Sequence, residues 1–379
     1  MKKQIFNYSI DADNETLRQF EECTSHDFVV AAALMPDAHV GYTAPIGSVL
    51  ITKKYIVPAW VGFDIGCGLI AVRVKGKNIL EKIKKNTDAI HRKINEAVPM
   101  GVGEYSKEKN ISEKTKEKFK ELLKKFEKGE HDKSVLQFLR TTALKHLGTL
   151  GGGNHFIEMG YSKKEVWIII HSGSRGIGHK VAKKYMIKAS DDKNNFEKTF
   201  PLDDKSKLGK EYLNILDFAL EYALLNRLEM SYKIVEVLEN VVGEKLKTEL
   251  WVNKNHNHAI YENKKYIHRK GATPAKKGEK GIIPGNMRDG TYLVEGKGNP
   301  KFLYSSSHGA GRALSRKSAK KKITFEEFRK SMEGIKANVF EKIIDEAPMA
   351  YKDMDKVMEA QKNSVKIIKH IKPLINWKG

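Results

Sequence analysis

An aspartate and a cysteine lie three positions apart in a glycine-rich segment. Asp64 and Cys67 are accompanied by Gly62, Gly66 and Gly68, so the backbone can curve and direct both side chains toward one point. A carboxylate and a thiolate together suit Mn, Fe, Co or Zn. Taken alone, the pair also fits a small buried cysteine beside a turn aspartate, so other residues must decide between the two interpretations.

Three histidines stand near glycines or at the ends of apolar runs. His155 comes shortly after three consecutive glycines, His171 ends the apolar run VWIII, and His256 follows the run ELWVN. Each of them alone fits a hydrogen-bonded core histidine equally well. Together with Asp64 and Cys67 they offer five N, O and S donors, enough for one transition metal or for two metals that share ligands. The sequence therefore predicts a metal centre.

A further histidine lies in a loop of serines and glycines. His308 follows Ser305–Ser307, and Arg312 and Arg316 come after it. Such a histidine can bind a phosphate, act as a general acid or base, or attack phosphorus to form a phosphoramidate, and these roles stay open at this point. There is no Walker A sequence, and no GxGxxG opens a helix after a strand, which disfavours a P-loop or Rossmann nucleotide site.

Composition restricts the class of protein. The chain has 379 residues, of which 40% are hydrophobic, and 69 Lys+Arg against 47 Asp+Glu give a net charge of +22. The apolar content predicts a folded protein, and the positive charge attracts polyanions, although a lysine excess is also a habit of some proteomes. No run approaches the ~18 apolar residues of a membrane span, and the first residues lack a signal-peptide run, so we expect a cytoplasmic protein without membrane attachment. Cys23 and Cys67 share no CxxC spacing, which disfavours a disulfide framework.

Hydrophobic patterning predicts the elements that position these residues. We expect short strands with Gly/Pro turns over 28–77, helices over 78–150, a buried strand, glycine turn and helix over 166–186, a long helix over 212–250, and glycine-rich strands over 251–310. The C-terminal part predicts a helix followed by a short extended tail. No fixed-period repeat and no Ser- or Pro-rich linker divides the chain. These features favour one α+β domain over 1–379, with a glycine-rich strand-and-turn core and helices around it.

Seven motifs, in this order, make the chain resemble the RtcB family of GTP-dependent RNA ligases: PDAHVGYTAPIG, DIGCG, LGTLGGGNHFIE, HSGSRGIGH, HNH, HRKGATPAKKGEKGIIPGNM and SSSHGAGRALSR. The similarity runs from about Pro36 to the last residues. Members of this family join an RNA 3′-phosphate, or a 2′,3′-cyclic phosphate after it is opened, to a 5′-hydroxyl. The resemblance thus implies an RtcB-type fold, GTP and Mn²⁺ as cofactors, and a part in tRNA splicing or RNA repair.

The resemblance also implies a metal centre and a nucleophile. His308 is similar to the histidine that the family guanylylates. His256, and not His258, matches the family's third imidazole ligand, because that ligand precedes an asparagine. The residues similar to the ligands of two manganese ions, with Cys67 bridging them, are Asp64, Cys67, His155, His171 and His256.

A second group of residues is similar to the guanylate contacts of the family. Glu158 matches the partner of the guanine edge, and a C-terminal helix is expected to return Lys378 to the site. The turn at 284–289 departs from the usual PGSMG, which leaves its contacts with the nucleotide open. The implied guanylate-binding residues are Asn154, Phe156, Ile157, Glu158, Asn257, Pro284, Gly285, Asn286, Met287, Thr291, Gly309, Ala310, Gly311, Tyr351 and Lys378. Arg175 and Arg316 are predicted to hold RNA phosphates.

The implied reaction has three steps. His308 attacks the α-phosphorus of GTP, GMP passes to the RNA 3′-phosphate to give an RNA-(3′)pp(5′)G end, and the 5′-hydroxyl then displaces GMP. Two other hypotheses are a metal-dependent phosphoesterase that acts on RNA ends without covalent guanylylation, and a silent RNA-binding protein. The sequence does not decide which RNA is the physiological substrate or whether an archease-like activator is needed. A monomer is the starting assumption for the oligomeric state.

Overall fold

The chain forms a mixed α+β structure, described by a computed structural model for residues 3–379. The predicted fold class is confirmed. Within this range the strands are β1 (Gln4–Asn7), β2 (Val29–His39), β3 (Ile46–Thr52), β4 (Tyr55–Ile56), β5 (Gly68–Lys75), β6 (Phe156–Ser162), β7 (Glu165–Ser172), β8 (Leu202–Asp203), β9 (Lys247–Asn255), β10 (Asn257–Glu262), β11 (Lys265–Lys270), β12 (Ala272–Pro274), β13 (Lys280–Pro284), β14 (Thr291–Gly296), β15 (Ser305–Ser307), β16 (Lys336–Ala337) and β17 (Val365–Lys378).

Helices surround these strands and account for most of the region predicted to be helical, 78–150. The α-helices are α1 (Asn14–Ser25), α2 (Pro58–Val61), α3 (Ile79–Lys85), α4 (Thr87–Ala97), α5 (Glu113–Lys128), α6 (Lys133–Phe138), α7 (Leu144–His146), α8 (Arg175–Ser190), α9 (Lys207–Val242), α10 (Arg316–Lys322), α11 (Phe325–Ser331) and α12 (Met354–Ala360). Short 3-10 helices lie at Glu108–Asn110, Pro300–Phe302, Glu341–Glu346 and Pro348–Ala350, and a π-helical segment lies at Leu139–Ala143. No helix of residues 3–379 is long and apolar enough to cross a membrane.

The largest sheet has the strand order β13-β14-β17-β6-β7-β5-β9, and β16 pairs with β17. The interior strand β7 is apolar at consecutive positions because both faces of the sheet are covered. Ile168 and Ile170 pack into a cluster with helices α3, α4 and α9, whereas Trp167 and Ile169 pack into a cluster on the other face. The predicted buried strand and the following helix are confirmed as β7 and α8.

The register of this sheet brings the predicted metal ligands to one edge. Gly68, at the start of β5, pairs with Ser172 at the end of β7 and with Asn255 at the end of β9. Since neighbouring strands run antiparallel, Cys67 and His256, one position beyond this register, and His171, one position inside it, lie at the same edge of the sheet. Strand pairing therefore brings Cys67, His171 and His256 together.

A second sheet, β1-β2-β3-β11-β10, and the pair β12-β15 complete the surroundings of the site. Strand β2 carries the Pro36–Asp37 segment toward β15, where the Asp37 amide donates to Ser307 Oγ at 3.4 Å. Ser307, the last residue of β15, pairs with Ala272 of β12, so His308 directly follows the end of this short ladder. The two sheets thus meet around His308.

The long helix begins and ends at positions that differ from the prediction. Ser206 caps α9 by accepting a hydrogen bond from the Gly209 amide, and Gly243 ends it with φ 71°. The prediction of a helix as far as 250 was wrong, because Gly243 adopts the left-handed conformation that stops a helix and the chain then enters β9 at Lys247. The apolar residues of β9 continued the helical pattern in the sequence by coincidence of spacing.

The C-terminal segment also departs from the prediction. Helix α12 ends at Ala360, and the following residues form the 14-residue strand β17 in place of a short tail. β17 pairs with β14 on one side and with β6 on the other. Lys378 therefore lies at the end of an interior strand of the sheet. The expectation that a C-terminal helix returns this lysine to the site was wrong.

Candidate metal centre and nucleotide cavity

Five side chains from four chain segments converge at the edge of the large sheet. Cys67 Sγ lies 3.1 Å from His171 Nε2 and 3.5 Å from His155 Nε2. His155 Nε2 also lies 3.0 Å from Asp64 Oδ2, and His171 Nε2 lies 3.3 Å from His256 Nε2. The structure thus brings together every residue that the sequence offered as a metal ligand.

These ligand atoms form two groups that share the cysteine. Cys67, His171 and His256 make one group, and Asp64, Cys67 and His155 make the other, with all atoms of a group within 4.8 Å of one another. If each group held a divalent transition ion, the Cys67 thiolate would be a ligand common to both. His258, the other candidate imidazole, lies outside both groups, with Nε2 3.3 Å from Arg269 Nη1.

Two of the three imidazoles are held with Nε2 directed at the cluster. His155 Nδ1 lies 3.1 Å from the Leu150 carbonyl oxygen, and His171 Nδ1 lies 3.2 Å from the Asn154 carbonyl oxygen. Donation from Nδ1 to these carbonyls leaves the Nε2 lone pair free for a metal. Burial lowers the pKa values of His171 and His256 well below the ordinary value, which keeps both rings neutral.

The pKa values of Asp64 and Cys67 are shifted in opposite directions. Burial opposes ionisation of Asp64, but the charge and hydrogen bond of His155 outweigh it and hold the pKa of this carboxyl below its usual range. Burial, followed by the neighbouring Asp64 carboxylate, raises the pKa of the Cys67 thiol well above its ordinary value. A bound cation would supply the charge that such a thiol needs in order to ionise.

Two glycines are needed for this arrangement. Gly66 has φ 76°, and a Cβ there would lie 2.7 Å from Ala223 Cβ on α9. A Cβ on Gly173 would overlap the Asp64 carboxylate. Helix α9 and the Asp64 side chain thus approach the backbone at positions where no other residue fits.

A cavity of about 610 Å³ opens beside the cluster. Its wall includes most of the residues that the resemblance implied for metal and guanylate binding. These are Asp64, Cys67, Asn154, Phe156, Glu158, His171, His256, Asn257, Pro284, Gly285, Asn286, Met287, His308, Gly309, Ala310, Gly311, Arg316 and Tyr351.

His308 is fixed in this cavity by a buried carboxylate. Its Nδ1 lies 2.6 Å from Asp37 Oδ2, and the same oxygen accepts the amide hydrogens of His308 and Gly309 at 3.1 and 3.2 Å. Burial opposes ionisation of Asp37, but the charge and hydrogen bond of His308 keep the pKa of Asp37 below its ordinary value. Nδ1–H therefore donates to a carboxylate, and Nε2 is the free nitrogen. The His308 ring centre lies 4.8 Å from that of His256, so the ring is next to the candidate metal ligands.

Glu158 is a buried carboxyl of the cavity wall. Only 2% of its surface is exposed, and its Oε1 has no hydrogen-bond partner among residues 3–379. Burial raises the pKa of Glu158 to about 8, with the nearby Thr291 hydroxyl acting in the opposite direction. An unpaired buried acceptor that lines a cavity is arranged for a ligand with N–H donors.

Strand geometry explains which neighbours of Glu158 face the cavity. Phe156 and Glu158 lie on one face of β6, whereas the side chain of Ile157 packs into the hydrophobic core. Thr291 is fully buried behind Glu158. The structure thus separates Ile157 and Thr291 from the residues whose side chains line the cavity.

Lys378 lies behind the cavity wall, where the register of β17 with β6 pairs it with Phe156. Its Nζ lies 2.5 Å from Glu346 Oε2 and 5.7 Å from the centre of the Phe156 ring. The same Glu346 oxygen accepts the Tyr351 hydroxyl at 2.5 Å. Burial opposes ionisation of Glu346, but Lys378 and then Arg316 outweigh it and lower its pKa.

The two arginines predicted to hold RNA phosphates have partners within the protein. Arg175 Nε donates to Thr149 Oγ1 at 3.3 Å, behind the candidate metal ligands. Arg316 Nη1 lies 2.9 Å from Glu346 Oε1 and 2.5 Å from Asp345 Oδ2, although 49% of its side chain is exposed at the cavity mouth. Of the two, only Arg316 lines the cavity.

The unusual turn at 284–289 closes on itself. Asn286 Oδ1 accepts the amide hydrogens of Arg288 and Asp289, both at 3.0 Å, and Asn286 Nδ2 donates to Asp289 Oδ2 at 2.7 Å. The backbone of Met287 is held by Asn376 Nδ2 at 2.8 Å. Asn286 and Met287 still line the cavity, so the departure keeps the turn at the site.

Sequence reasoning did not assign three residues that the site contains. Asp37 stands in the first quoted motif, and Lys270 stands in the HRKGAT motif, so both had a signal there. Lys270 is buried and lines the cavity, and burial lowers its pKa to about 8. Glu346 lies in a short 3-10 helix outside every motif, and no sequence signal pointed to it.

Comparisons with known proteins agree on one family. A family model described as tRNA-splicing ligase RtcB matches residues 19–379. The chain is 35% identical to RNA-splicing ligase RtcB of Escherichia coli (strain K12) over 92% of the chain and 90% of the relative. It is 32% identical to tRNA-splicing ligase RtcB of Nanoarchaeum equitans over 91% and 87%, and 30% identical to that of Archaeoglobus fulgidus over 92% and 88%.

Proposed function

The chain belongs to the RtcB family, and we propose that it joins an RNA 3′-phosphate to a 5′-hydroxyl, using GTP and Mn²⁺ through a histidine–GMP intermediate. Family membership makes it an RNA ligase of tRNA splicing or RNA repair. The observation that carries the finer proposal is the position of His308, with Nδ1 held by Asp37 and the ring 4.8 Å from that of the metal ligand His256.

The donor set fits the proposed manganese ions. Two groups of nitrogen, oxygen and sulfur atoms share Cys67, burial keeps His171 and His256 neutral, and backbone carbonyls orient His155 and His171. When bound, divalent ions supply positive charge that neutralises the triphosphate and the departing pyrophosphate. The residues that we propose as ligands are Asp64, Cys67, His155, His171 and His256.

His308 is proposed as the nucleophile. Asp37 holds Nδ1–H, so the lone pair on Nε2 can attack the α-phosphorus of GTP. The new bond is N–P, the bond that breaks joins the α-phosphorus to the bridging oxygen, and pyrophosphate leaves. The imidazole gains positive charge during the attack, and the buried Asp37 carboxylate lies where it stabilises that charge.

The part of the cavity wall around Glu158 suits the guanosine part of GTP. Glu158 offers a buried acceptor to the guanine N–H groups, and Phe156 offers an aromatic face. Lys270 adds a buried ammonium group on the cavity wall, which favours a phosphate. We keep the remaining implied guanylate contacts as part of the proposal, with Ile157 restricted to its backbone because its side chain lies in the core.

The RNA ends would enter at the exposed mouth. GMP passes from His308 to the RNA 3′-phosphate, and the 5′-hydroxyl then attacks the activated phosphorus and releases GMP. Arg316 lies at this mouth and can exchange Glu346 for an RNA phosphate, whereas Arg175 is proposed to support the segment of Thr149 and Leu150, whose Leu150 carbonyl orients His155. Since these residues come from segments between Asp37 and Lys378, the proposal treats 1–379 as one catalytic domain.

A ligation assay with defined ends tests this function. We expect joined product from strands that carry a 3′-phosphate or a 2′,3′-cyclic phosphate and a 5′-hydroxyl, only when GTP and Mn²⁺ are both present. The control strands carry a 3′-hydroxyl and a 5′-phosphate and should stay unjoined. A protein that removes the 3′-phosphate without GTP and joins nothing would instead be the phosphoesterase that we considered as the alternative.

The pKa of Glu158 predicts how GTP affinity depends on pH. Because this pKa is raised to about 8, the empty site holds a protonated carboxyl at pH 7, and acceptance of two guanine N–H groups requires loss of that proton. Binding then competes with a proton below pH 8. We expect affinity to rise with pH by up to about tenfold per unit between pH 6 and 8, and to level off above that range.

The matched control is Glu158→Gln, which cannot ionise. Both proteins meet the same ionisation of GTP, so the difference between their affinity curves isolates Glu158. We expect the variant to bind more weakly, with the pH dependence of Glu158 removed. Parallel curves for the two proteins, measured by titration calorimetry at fixed ionic strength, would contradict the assignment of Glu158 to the guanine edge.

A further inference from the structure

Two consecutive polar residues of α9 lie fully buried beneath the metal-ligand cluster. Asn226 and Arg227 are each 0% exposed, and the function proposed above uses neither of them. Burial of a guanidinium is costly unless its N–H groups are bonded. Their partners therefore indicate what the two residues do.

Arg227 binds the backbone directly next to two metal ligands. Its Nη1 donates to the carbonyl of Gly66 at 3.0 Å and to the carbonyl of Ser172 at 2.7 Å. Gly66 precedes Cys67, and Ser172 follows His171. One nitrogen thus joins the segments of the bridging thiol and of an imidazole.

The rest of the same guanidinium reaches the third segment. Nη2 donates to Asn255 Oδ1 at 2.7 Å, and Nε donates to Asn253 Oδ1 at 2.7 Å. Asn255 precedes His256, and the side-chain amides of both asparagines donate back to carbonyls of α9, at 3.0 Å for Asn253 and 3.2 Å for Asn255. Arg227 is therefore bonded next to Cys67, His171 and His256, which together form one complete ligand group.

Asn226 extends the contacts to the segment of the remaining histidine. Its Oδ1 accepts the amide hydrogens of Gly148 and Thr149 at 2.8 and 3.2 Å, and its Nδ2 donates to the Thr149 carbonyl at 3.1 Å. The next carbonyl along the chain, that of Leu150, is the one that orients His155. Nδ2 also donates to the Gly173 carbonyl at 3.2 Å, beside the segment of His171.

The charge of Arg227 has no carboxylate partner in this network. All four of its hydrogen bonds within residues 3–379 go to neutral oxygens. A buried cation without a counter-charge destabilises a fold. The guanidinium is therefore placed here for the carbonyl and amide oxygens that it binds next to the candidate ligands.

We infer that Asn226 and Arg227 are positioning residues that hold four separate chain segments so that their ligand side chains meet at the metal centre. The inference rests on the proposed metal centre and concerns its affinity for metal. One helix, α9, then sets the spacing of all the histidine ligands. Loss of the hydrogen bonds of Asn226 and Arg227 should let the ligand side chains move apart while the protein stays folded.

Manganese affinity tests this role separately from activity. Free Mn²⁺ is counted by its electron paramagnetic resonance signal while the full chain is titrated, and urea unfolding of the metal-free protein gives its stability. We expect Arg227→Met to weaken Mn²⁺ binding by about 10- to 100-fold, as removal of outer contacts of metal ligands does elsewhere. Arg227→Lys, which keeps the charge and one donor group, should recover part of the loss.

The control is Met230→Ala, one turn further along α9. Met230 is fully buried in the core cluster that includes Ile234 and Ile170, so the variant destabilises the same helix without removing these hydrogen bonds. We expect its Mn²⁺ affinity to stay within about twofold of the wild type. Equal losses of affinity in Arg227→Met and Met230→Ala would overturn the inference, because a merely structural role moves both.

A second variant covers the case in which Arg227→Met does not fold. Asn255→Ala removes one bond of the network next to His256, and a loss of Mn²⁺ affinity in the folded variant supports the inference whereas an unchanged affinity overturns it. A wild-type protein that binds no Mn²⁺ would refute the proposed metal centre, and this inference with it. If folded Arg227→Met bound Mn²⁺ as tightly as the wild type, the positioning role alone would be refuted.

Discussion

His308→Ala is expected to form no GMP adduct after incubation with GTP and Mn²⁺. The imidazole Nε2 is the atom that would bond to phosphorus, and loss of a nucleophile typically lowers the rate by more than about 10⁴-fold. The intact-protein mass measures the result directly, because the wild type gains one GMP and the variant gains none. The experiment addresses the chemistry of the cavity without any knowledge of the RNA.

A second histidine of the cavity provides the matched control. The His39 ring lies 6.5 Å from that of His308 and lines the same cavity. Its Nδ1 lies 3.0 Å from the Asp37 carbonyl oxygen, not from the Asp37 carboxylate. We therefore expect His39→Gln to keep the adduct. A labelled peptide that contains His39, or a His308→Ala protein that still gains GMP, would contradict the assignment of the nucleophile.

Metal binding separates loss of the nucleophile from loss of the site. His308 is not in either ligand group, so His308→Ala should bind Mn²⁺ with an affinity close to that of the wild type. If the variant lost both its adduct and its metal, the missing adduct would say nothing about the nucleophile. Mn²⁺ titration of the variant is thus part of the same experiment.

The sequence predicted the parts of the fold that local patterns determine. The continuous apolar run of β7 indicated a strand with both faces covered, and Gly173 after it indicated the turn into α8. The C-terminal strand could not be predicted in this way. The residues of β17 lie between β14 and β6, whose positions depend on long-range pairing, and the three-residue spacing of the lysines in KIIKHIKPLINWK favoured a helix.

The residues of the candidate site likewise differ in whether local sequence patterns identify them. Side chains with distinctive chemistry, such as Cys67 and the histidines, were identified from residue type and neighbouring glycines. Asp37 and Glu346 were not, because a carboxylate becomes informative only when its partner is known. Asp37 is 271 positions from His308, and Glu346 is 32 positions from Lys378, so only the folded chain shows each pair.

The largest expected effect on metal binding comes from Cys67→Ser. Cys67 belongs to both ligand groups, so this one change alters both. A serine hydroxyl is a harder and far less acidic ligand than a thiol, and it would stay protonated where the thiolate binds. We expect the Mn²⁺ affinity to fall by roughly 100-fold or more at both positions, beyond the usual effect of an outer-contact mutation.

His256→Ala supplies the comparison, because His256 belongs to one group alone. Metal counting by equilibrium dialysis should give two ions per chain for the wild type, one for His256→Ala and none for Cys67→Ser at the same free Mn²⁺. The intermediate count distinguishes a shared ligand from a general collapse of the site, since both variants replace a buried residue at the same edge of the sheet. If Cys67→Ser retained one ion, the sulfur would serve a single metal, and the two groups would not be bridged.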